Sequence, residues 1–181
     1  MTAKATGHYT LKPDGLYLQF DRLFHAPIEE VWFSLTNPTA MQAWIGTYTG
    51  RPETGGVRFR MGFEGEEGEW QNVSILECAP PHRYLADSGP GPTGIRVFSH
   101  LREAGGMTTL TFGQKLPNPA DAAQMGPGWD YYLDRLMAAH AGRPMPEWEH
   151  YYPALAEHYE ELHVPGSSAP TRASAASRGR P

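Results

Sequence analysis

The sequence predicts an α+β domain: an antiparallel sheet of about six strands, two short helices after the first strand, and a long amphipathic helix near the C-terminus. Three observations predict it. From Gly55 onward, apolar residues recur with a period of two in five successive runs. Short turn-like segments join several of these runs, "PP" at 80–81, "SGPGPTG" at 88–94 and "EAGG" at 103–106, and such connections suit hairpins rather than crossovers. A single strong helical period then follows Pro127.

The elements can be justified in order. Residues 1–15 are polar and broken by Pro13 and Gly15, which reads as a flexible N-terminus. "LYLQFDRLF" at 16–24 alternates as a strand does. Pro27 suits a first helical position, Glu29 and Glu30 favour the positive end of the helix dipole, and Ile28, Val31, Trp32 and Leu35 form one stripe. Asn37-Pro38 ends that helix, because the residue before proline avoids helical angles. A second short helix, "TAMQAWIG" at 39–46, closes on Gly46.

In the next strand Val57, Phe59, Met61 and Phe63 face one way, and Arg58 and Arg60 the other. "EGEEGE" at 64–69 reads as a charged hairpin turn, followed by strands at 70–78, 83–87, 94–103 and 107–116. The long helix is expected to start at Pro127 with Gly126 as its cap. Trp129, Tyr132, Leu133, Leu136, Met137 and His140 line one face, and Asp130, Asp134 and Arg135 the solvated other. That apolar face must lie on the inner face of the sheet.

A further segment at 144–163 is expected to be helical, with Trp148, Tyr152, Leu155, Tyr159 and Leu162 on one stripe and Pro153 kinking or splitting it. Its expected place is the outside of its own sheet, with capping of a pocket or pairing with a second subunit as alternatives. Residues 164–181 are small, polar and proline-spotted, which predicts a disordered tail. The domain itself is then 16–143.

Composition narrows the function. The 181 residues are 40% hydrophobic and 19% charged, with a net charge of −5. The tail arginines Arg172, Arg178 and Arg180 leave the body more acidic still, which disfavours nucleic acid. The single cysteine, Cys78, excludes an internal disulfide and suits a cytoplasmic location; no run is long enough to span a membrane and no signal peptide is evident. Cys78, in a strand without a basic partner, reads as a buried inert thiol.

No GxSxG or HExxH motif is present, and the glycine-rich runs lack the lysine of a phosphate loop. His150, His158 and His163 sit among glutamates in the pattern of a solvated helix face, so no metal and no cofactor are expected. His100 is expected to face outward.

The blocks "RLFHAPIEEVWFSLTNPTAMQAWIG", "GGVRFRM", "ILECAPPHRYL", "GGMTTLTF" and "GPGWDYYLDRL", in that order and spacing, resemble the START/SRPBCC superfamily. Within it they are most similar to the branch like the C-terminal domain of the activator of the heat shock protein 90 ATPase. The resemblance covers about residues 16–141. It implies a helix-grip fold, in which the sheet curves around the long helix, and a cavity between the two for apolar or amphipathic small molecules.

Strand phase and helix phase place the candidate ligand-binding residues of that cavity: Trp44, Phe59, Met61, Phe63, Ser99, Leu110, Phe112, Gln114, Trp129, Leu133 and Met137. Trp44, ending the second short helix, is expected to pack near the mouth. Ser99 and Gln114 are the polar members, and a ligand, a backbone group or a water can satisfy them. The expected function is binding of an apolar, aromatic or lipid-like molecule. The alternatives implied by the resemblance are a polyketide cyclase or dehydratase-like enzyme, for which no catalytic residue can be named, and a chaperone-related interaction module or homodimer.

Overall fold

The structure is a computed structural model, and it describes residues 3–62, 68–89 and 94–166. Phe63, the 64–67 part of the acidic hairpin, the 90–93 part of the glycine-proline turn and residues 167–181 of the tail lie outside the described residues.

The sheet among the described residues has eight strands rather than six: β1 (His8–Lys12), β2 (Gly15–Phe24), β3 (Gly46–Arg51), β4 (Gly56–Met61), β5 (Gln71–Ala79), β6 (Arg83–Ser88), β7 (Ile95–Ala104) and β8 (Met107–Lys115). Every pairing is antiparallel, in the order β1-β2-β8-β7-β6-β5-β4-β3. The two additional strands are the two edges. β1, expected as part of a flexible start, pairs with β2 through the Pro13–Asp14 turn. β3 begins at Gly46, which was expected to cap a helix. A side chain at Gly46 would meet the Arg60 carbonyl at 2.1 Å, so only glycine allows β3 to approach β4 there.

α1 (Ile28–Thr36) follows β2. Pro27 is its cap residue rather than its first residue and offers no side-chain bond, so the end is satisfied from elsewhere: Glu103 on β7 accepts the Ile28 N–H at 2.8 Å. α2 is a single turn, Pro38–Met41, shorter than expected, with Asn37 Oδ1 accepting the N–H groups of Thr39 and Ala40.

α3 spans Ala122–His140 and begins five residues before Pro127, so the proline lies inside the helix rather than starting it. Gly126 is buried there, and a side chain on it would meet the Tyr159 ring at 2.5 Å. The glycine serves a close contact, not a cap.

The segment after α3 splits, with a 3-10 turn at Trp148–His150 and α4 (Ala156–Glu160) on either side of Pro153. It packs on the outer side of α3, not on the outside of the sheet. Tyr151 and Tyr159 are its buried anchors, while Trp148 and Tyr152 of the expected stripe stay 39% and 48% exposed. The expected stripe included Tyr159 but missed Tyr151. No helix among the described residues is long and apolar enough to cross a membrane.

The core lies where α1 and α3 cover β2, β8 and β7. Leu18, Phe20, Leu110, Phe112, Leu133 and Leu136 are essentially sealed there. The supposedly solvated face of α3 is sealed as well. Asp130 is fully buried and Arg135 is 7% exposed. Asp130 accepts from Arg22 Nη2 at 2.9 Å, from the Thr6 N–H and hydroxyl, and from the Tyr159 hydroxyl. Asp134 accepts from Arg22 Nε at 2.9 Å and from the Tyr151 hydroxyl at 2.7 Å. Arg135 donates to the Trp44 and Ala43 carbonyls. One stretch of α3 thus gathers the N-terminal segment, β2 and the C-terminal segment through buried charge.

Candidate functional site

Register shows which side chains share the inner face of the sheet. In an antiparallel pair, directly opposed residues point to the same side. The pairs Ser99 with Phe112, Val97 with Gln114, Tyr84 with Ser99, and Ala86 with Val97 carry the inner face from β8 to β6. Cys78 with Tyr84, and Ile75 with Ala86, carry it on to β5 across a bulge. Val57 with Val73, and Tyr48 with Phe59, complete it to β3.

This inner face has two halves. The β2–β8–β7 half is filled. The β3–β6 half is not: Val57, Phe59, Met61, Val73, Ile75 and Tyr84 are all only half-buried. This partly exposed apolar floor, the trough, has Trp32 on α1 at one edge, and Trp129 on α3 lies over the neighbouring β8. Trp32 contacts the Tyr84 ring at 6.3 Å between centroids, and Trp129 contacts Phe112 at 4.3 Å.

The predicted site residues divide accordingly. Trp44, Leu110, Phe112 and Leu133 are 0–2% exposed and belong to the packed core. The Trp44 indole donates to the Ser34 carbonyl at 3.0 Å, which fixes it inside rather than at a mouth. Phe59, Met61, Trp129 and Met137 are half-buried against that core. Ser99 and Gln114 are fully buried at the boundary between the halves. Phe63 lies outside the described residues. Two shallow surface clefts are present among the described residues, one over Thr49, Arg58 and Asn72 that also touches Val57 and Val73, and one beside Phe33, Ser34 and His140, and neither is lined by a predicted site residue.

The polar groups of the boundary are unusual. Gln114 Oε1 accepts the Trp129 indole N–H at 2.5 Å, which fixes the orientation of the amide. Ser99 Oγ is the one buried side-chain polar atom among the described residues that lacks a hydrogen bond. A buried hydroxyl in that condition is rare and asks for an explanation. Its polar neighbour is the Tyr84 hydroxyl. Burial pushes the Tyr84 phenol well above its ordinary pKa, and Ser99 offsets this in part, yet no hydrogen bond of adequate geometry joins the two hydroxyls.

Cys78 was expected to be buried and is exposed. Its thiol pKa is raised, first by partial burial and then by Glu53, so it is not an activated nucleophile. Tyr48 is raised by burial, Glu53 and Cys78. His100 faces outward. His150 pairs with Glu147 at 3.9 Å on the surface.

Sequence reasoning missed Tyr84 and left Trp32 as core. The signal for Tyr84 was available: once Ser99 is placed inward, the antiparallel pairing of β6 with β7 sets Tyr84 opposite it on the same face.

Comparison with known proteins agrees with this architecture. Residues 25–141 match the family described as activator of Hsp90 ATPase homolog 1-like protein. The chain is similar to the crystal structure of CalU16 from Micromonospora echinospora, with 23% identity and a TM-score of 0.68, covering 88% of this chain and 96% of that one. It is similar to a Bordetella parapertussis protein, with 21% identity and a TM-score of 0.70, covering 90% and 97%. It is also similar to DynU16, a protein in the dynemicin biosynthetic locus, with 26% identity and a TM-score of 0.59. That match covers 71% of this chain and 48% of the other, so the chain spans about half of DynU16. No curated protein matches.

Proposed function

The chain belongs to the activator of Hsp90 ATPase homolog 1-like family, within the START/SRPBCC superfamily, and from that premise we propose that it binds an apolar small molecule in the trough over β3–β6. The observation that carries this reading is the unpartnered Ser99 hydroxyl at the edge of a half-exposed apolar floor. Ligand sites are apolar concavities with a few placed polar groups, and the trough has that make-up. The place of the similar protein DynU16 in a biosynthetic locus supports a small-molecule role.

The enzyme reading has less support. The inner positions of β3–β6 among the described residues carry no carboxylate, imidazole or amine, and the titratable groups there, the Cys78 thiol and the Tyr48 and Tyr84 phenols, all have raised pKa values, so none is activated as a base or nucleophile.

Native mass spectrometry of the protein purified from its own host tests the proposal. The expected result is a small-molecule adduct that is released on denaturation and is lost in Phe59→Arg, which places a cation on the apolar floor. A wild-type protein that arrives bare overturns it.

A further inference from the structure

We propose that β3 is a self-pairing edge: two copies of this chain join antiparallel through Gly46–Gly50 about a twofold axis at Tyr48, and their two sheets become one. The proposal is independent of the small-molecule reading, although the joined strands border both troughs.

β3 is a terminal strand, with β4 on one side and no strand on the other among the described residues. One hydrogen bond assigns its free side. The Ile45 carbonyl accepts the Gly62 N–H at 3.0 Å. Amide groups alternate in direction along an antiparallel strand, so Thr47, Thr49 and Arg51 also turn theirs to β4. Gly46, Tyr48 and Gly50 turn theirs to the open side. Such a row of donors and acceptors is a template for another strand unless the sequence blunts it.

The two edges of the sheet differ in that respect. β1 ends on Lys12, followed by Pro13, and both residue types discourage edge pairing. β3 has neither lysine nor proline from Gly46 to Arg51, and its Thr49 and Gly50 are exposed.

The order of the residues names the partner. Gly46-Thr47-Tyr48-Thr49-Gly50 reads the same in both directions. Antiparallel pairing reverses the second strand, so an axis at Tyr48 sets every residue against its own type. Tyr48 meets the partner's Tyr48, Thr47 the partner's Thr49, and Gly46 the partner's Gly50. A twofold contact needs this self-complementarity. Aromatic and threonine pairs are favourable across strands. Thr47 Oγ1 is spent on the Pro38 carbonyl at 3.0 Å, so the threonine pairs contribute packing. Arg51 falls opposite the partner's Ile45, and no like charges meet. Gly50, at φ 104°, ends the regular part of the strand. The ladder therefore centres on the Tyr48 pair, whose N–H and C=O groups exchange two hydrogen bonds across the axis.

The apolar floor supplies a second reason. Tyr48 shares the inner face with Phe59, while Gly46 stands beside Met61 and Gly50 beside Val57. The rim of the floor is thus bare on both sides of Tyr48, and Val57, Phe59 and Met61 are half-buried behind it. A ring from the opposite strand can lie over an edge glycine, and the partner's Tyr48 is placed to do so.

Sedimentation of the full chain across a range of concentration tests the proposal. The expected result is a species of twice the 20.1 kDa chain mass that dissociates on dilution. Thr49→Lys places a charge on the edge, and Tyr48→Pro removes its central donor without touching the bonds to β4. Each should weaken association at least about tenfold, because the axis counts every lost pair twice. Cysteine pairing checks the register in a Cys78→Ser background, since Cys78 is exposed. Opposed residues at the Thr47 and Thr49 positions lie about 4.5 Å apart between Cα atoms, within disulfide reach. A mixture of Thr47→Cys and Thr49→Cys chains should therefore crosslink far better than either variant alone.

A single-chain mass at every concentration overturns the proposal, and a small-molecule adduct on that monomer would leave the trough reading standing. A dimer that both Thr49→Lys and Tyr48→Pro leave intact overturns it as well, because the contact then lies elsewhere. So does a mixed cysteine sample that crosslinks no better than its components.

Discussion

Ser99 and Asp130 are both fully buried polar side chains, and they sit in opposite situations. Asp130 takes hydrogen bonds from four donors on three parts of the chain: the Thr6 N–H and hydroxyl, Arg22, and the Tyr159 hydroxyl. Ser99 has none. Removing one partner of a buried ion pair leaves the other charge uncompensated, so Asp130→Ala should cost about 3–5 kcal/mol. Removing an unsatisfied hydroxyl removes only a desolvation penalty, so Ser99→Ala should be neutral or stabilising by about 1 kcal/mol. Urea unfolding of the two variants checks both signs. A clear loss of stability in Ser99→Ala would mean that the hydroxyl has a structural partner, and it would then cease to mark a ligand site. Asp130 was misread as a solvated charge because helical period separates faces but does not reveal what covers each one. Its cover comes from residues more than a hundred positions upstream and nearly thirty downstream.

At the scale of elements, strands with an apolar alternation were legible and the edges were not. β2, β7 and β8 carry their own signal because one face of each is buried by helices. β3, "GTYTGR", has no apolar alternation, and it exists because β4 offers a pairing partner and Gly46 permits the approach. β1 depends in the same way on β2. The inward phase of Ser99 and Gln114 was legible because period-two alternation fixes a face. The division of the trough from the core was not, since strand phase says nothing of where the helices stop.

The start of α3 was misplaced because Pro127 normally opens a helix and here sits within one. The reason lies in Gly126, over which the Tyr159 ring is laid. Gly126→Ala therefore reports on the C-terminal segment. In an open helix the change would stabilise by up to about 1 kcal/mol. In the intact chain the added methyl meets the Tyr159 ring at 2.5 Å, so the melting temperature should fall. Truncation after Arg143 should itself lower the melting temperature, by removing Tyr151 and Tyr159 from Asp134 and Asp130. In the truncated chain the sign of Gly126→Ala should reverse. The same sign in both backgrounds would show that Tyr159 does not lie on the helix.

At the scale of the whole molecule, one half of the sheet is closed and tied down while the other is left open. The ties of the closed half share a chemistry, a tyrosine hydroxyl donating to an aspartate: Tyr17 to Asp14 at 2.8 Å, Tyr151 to Asp134 at 2.7 Å, and Tyr159 to Asp130. They join the first hairpin, α3 and the C-terminal segment. Burial is the largest cause of a raised phenol pKa at all three, and the neighbouring aspartate adds to it. Tyr17 is pushed up to about 12, and the other two lie higher still, against an ordinary value of 10.0. The sign of the pH dependence follows. Below pH 10 the folded and unfolded chains both hold these protons, and the contribution to stability is fully present. Above it the unfolded chain ionises first while the folded chain does not, so stability falls as pH rises, through about 12 for Tyr17 and beyond for the others. Chemical-denaturation midpoints taken across this range should hold steady toward pH 10 and then decline. Tyr17→Phe should start from a less stable protein and decline less steeply between 10 and about 12. Tyr159→Phe should differ more, because it also strips a donor from Asp130 and an acceptor from the Gly7 N–H. Identical alkaline slopes in the wild type and both variants would sink the claim that these phenols hold the closed half together.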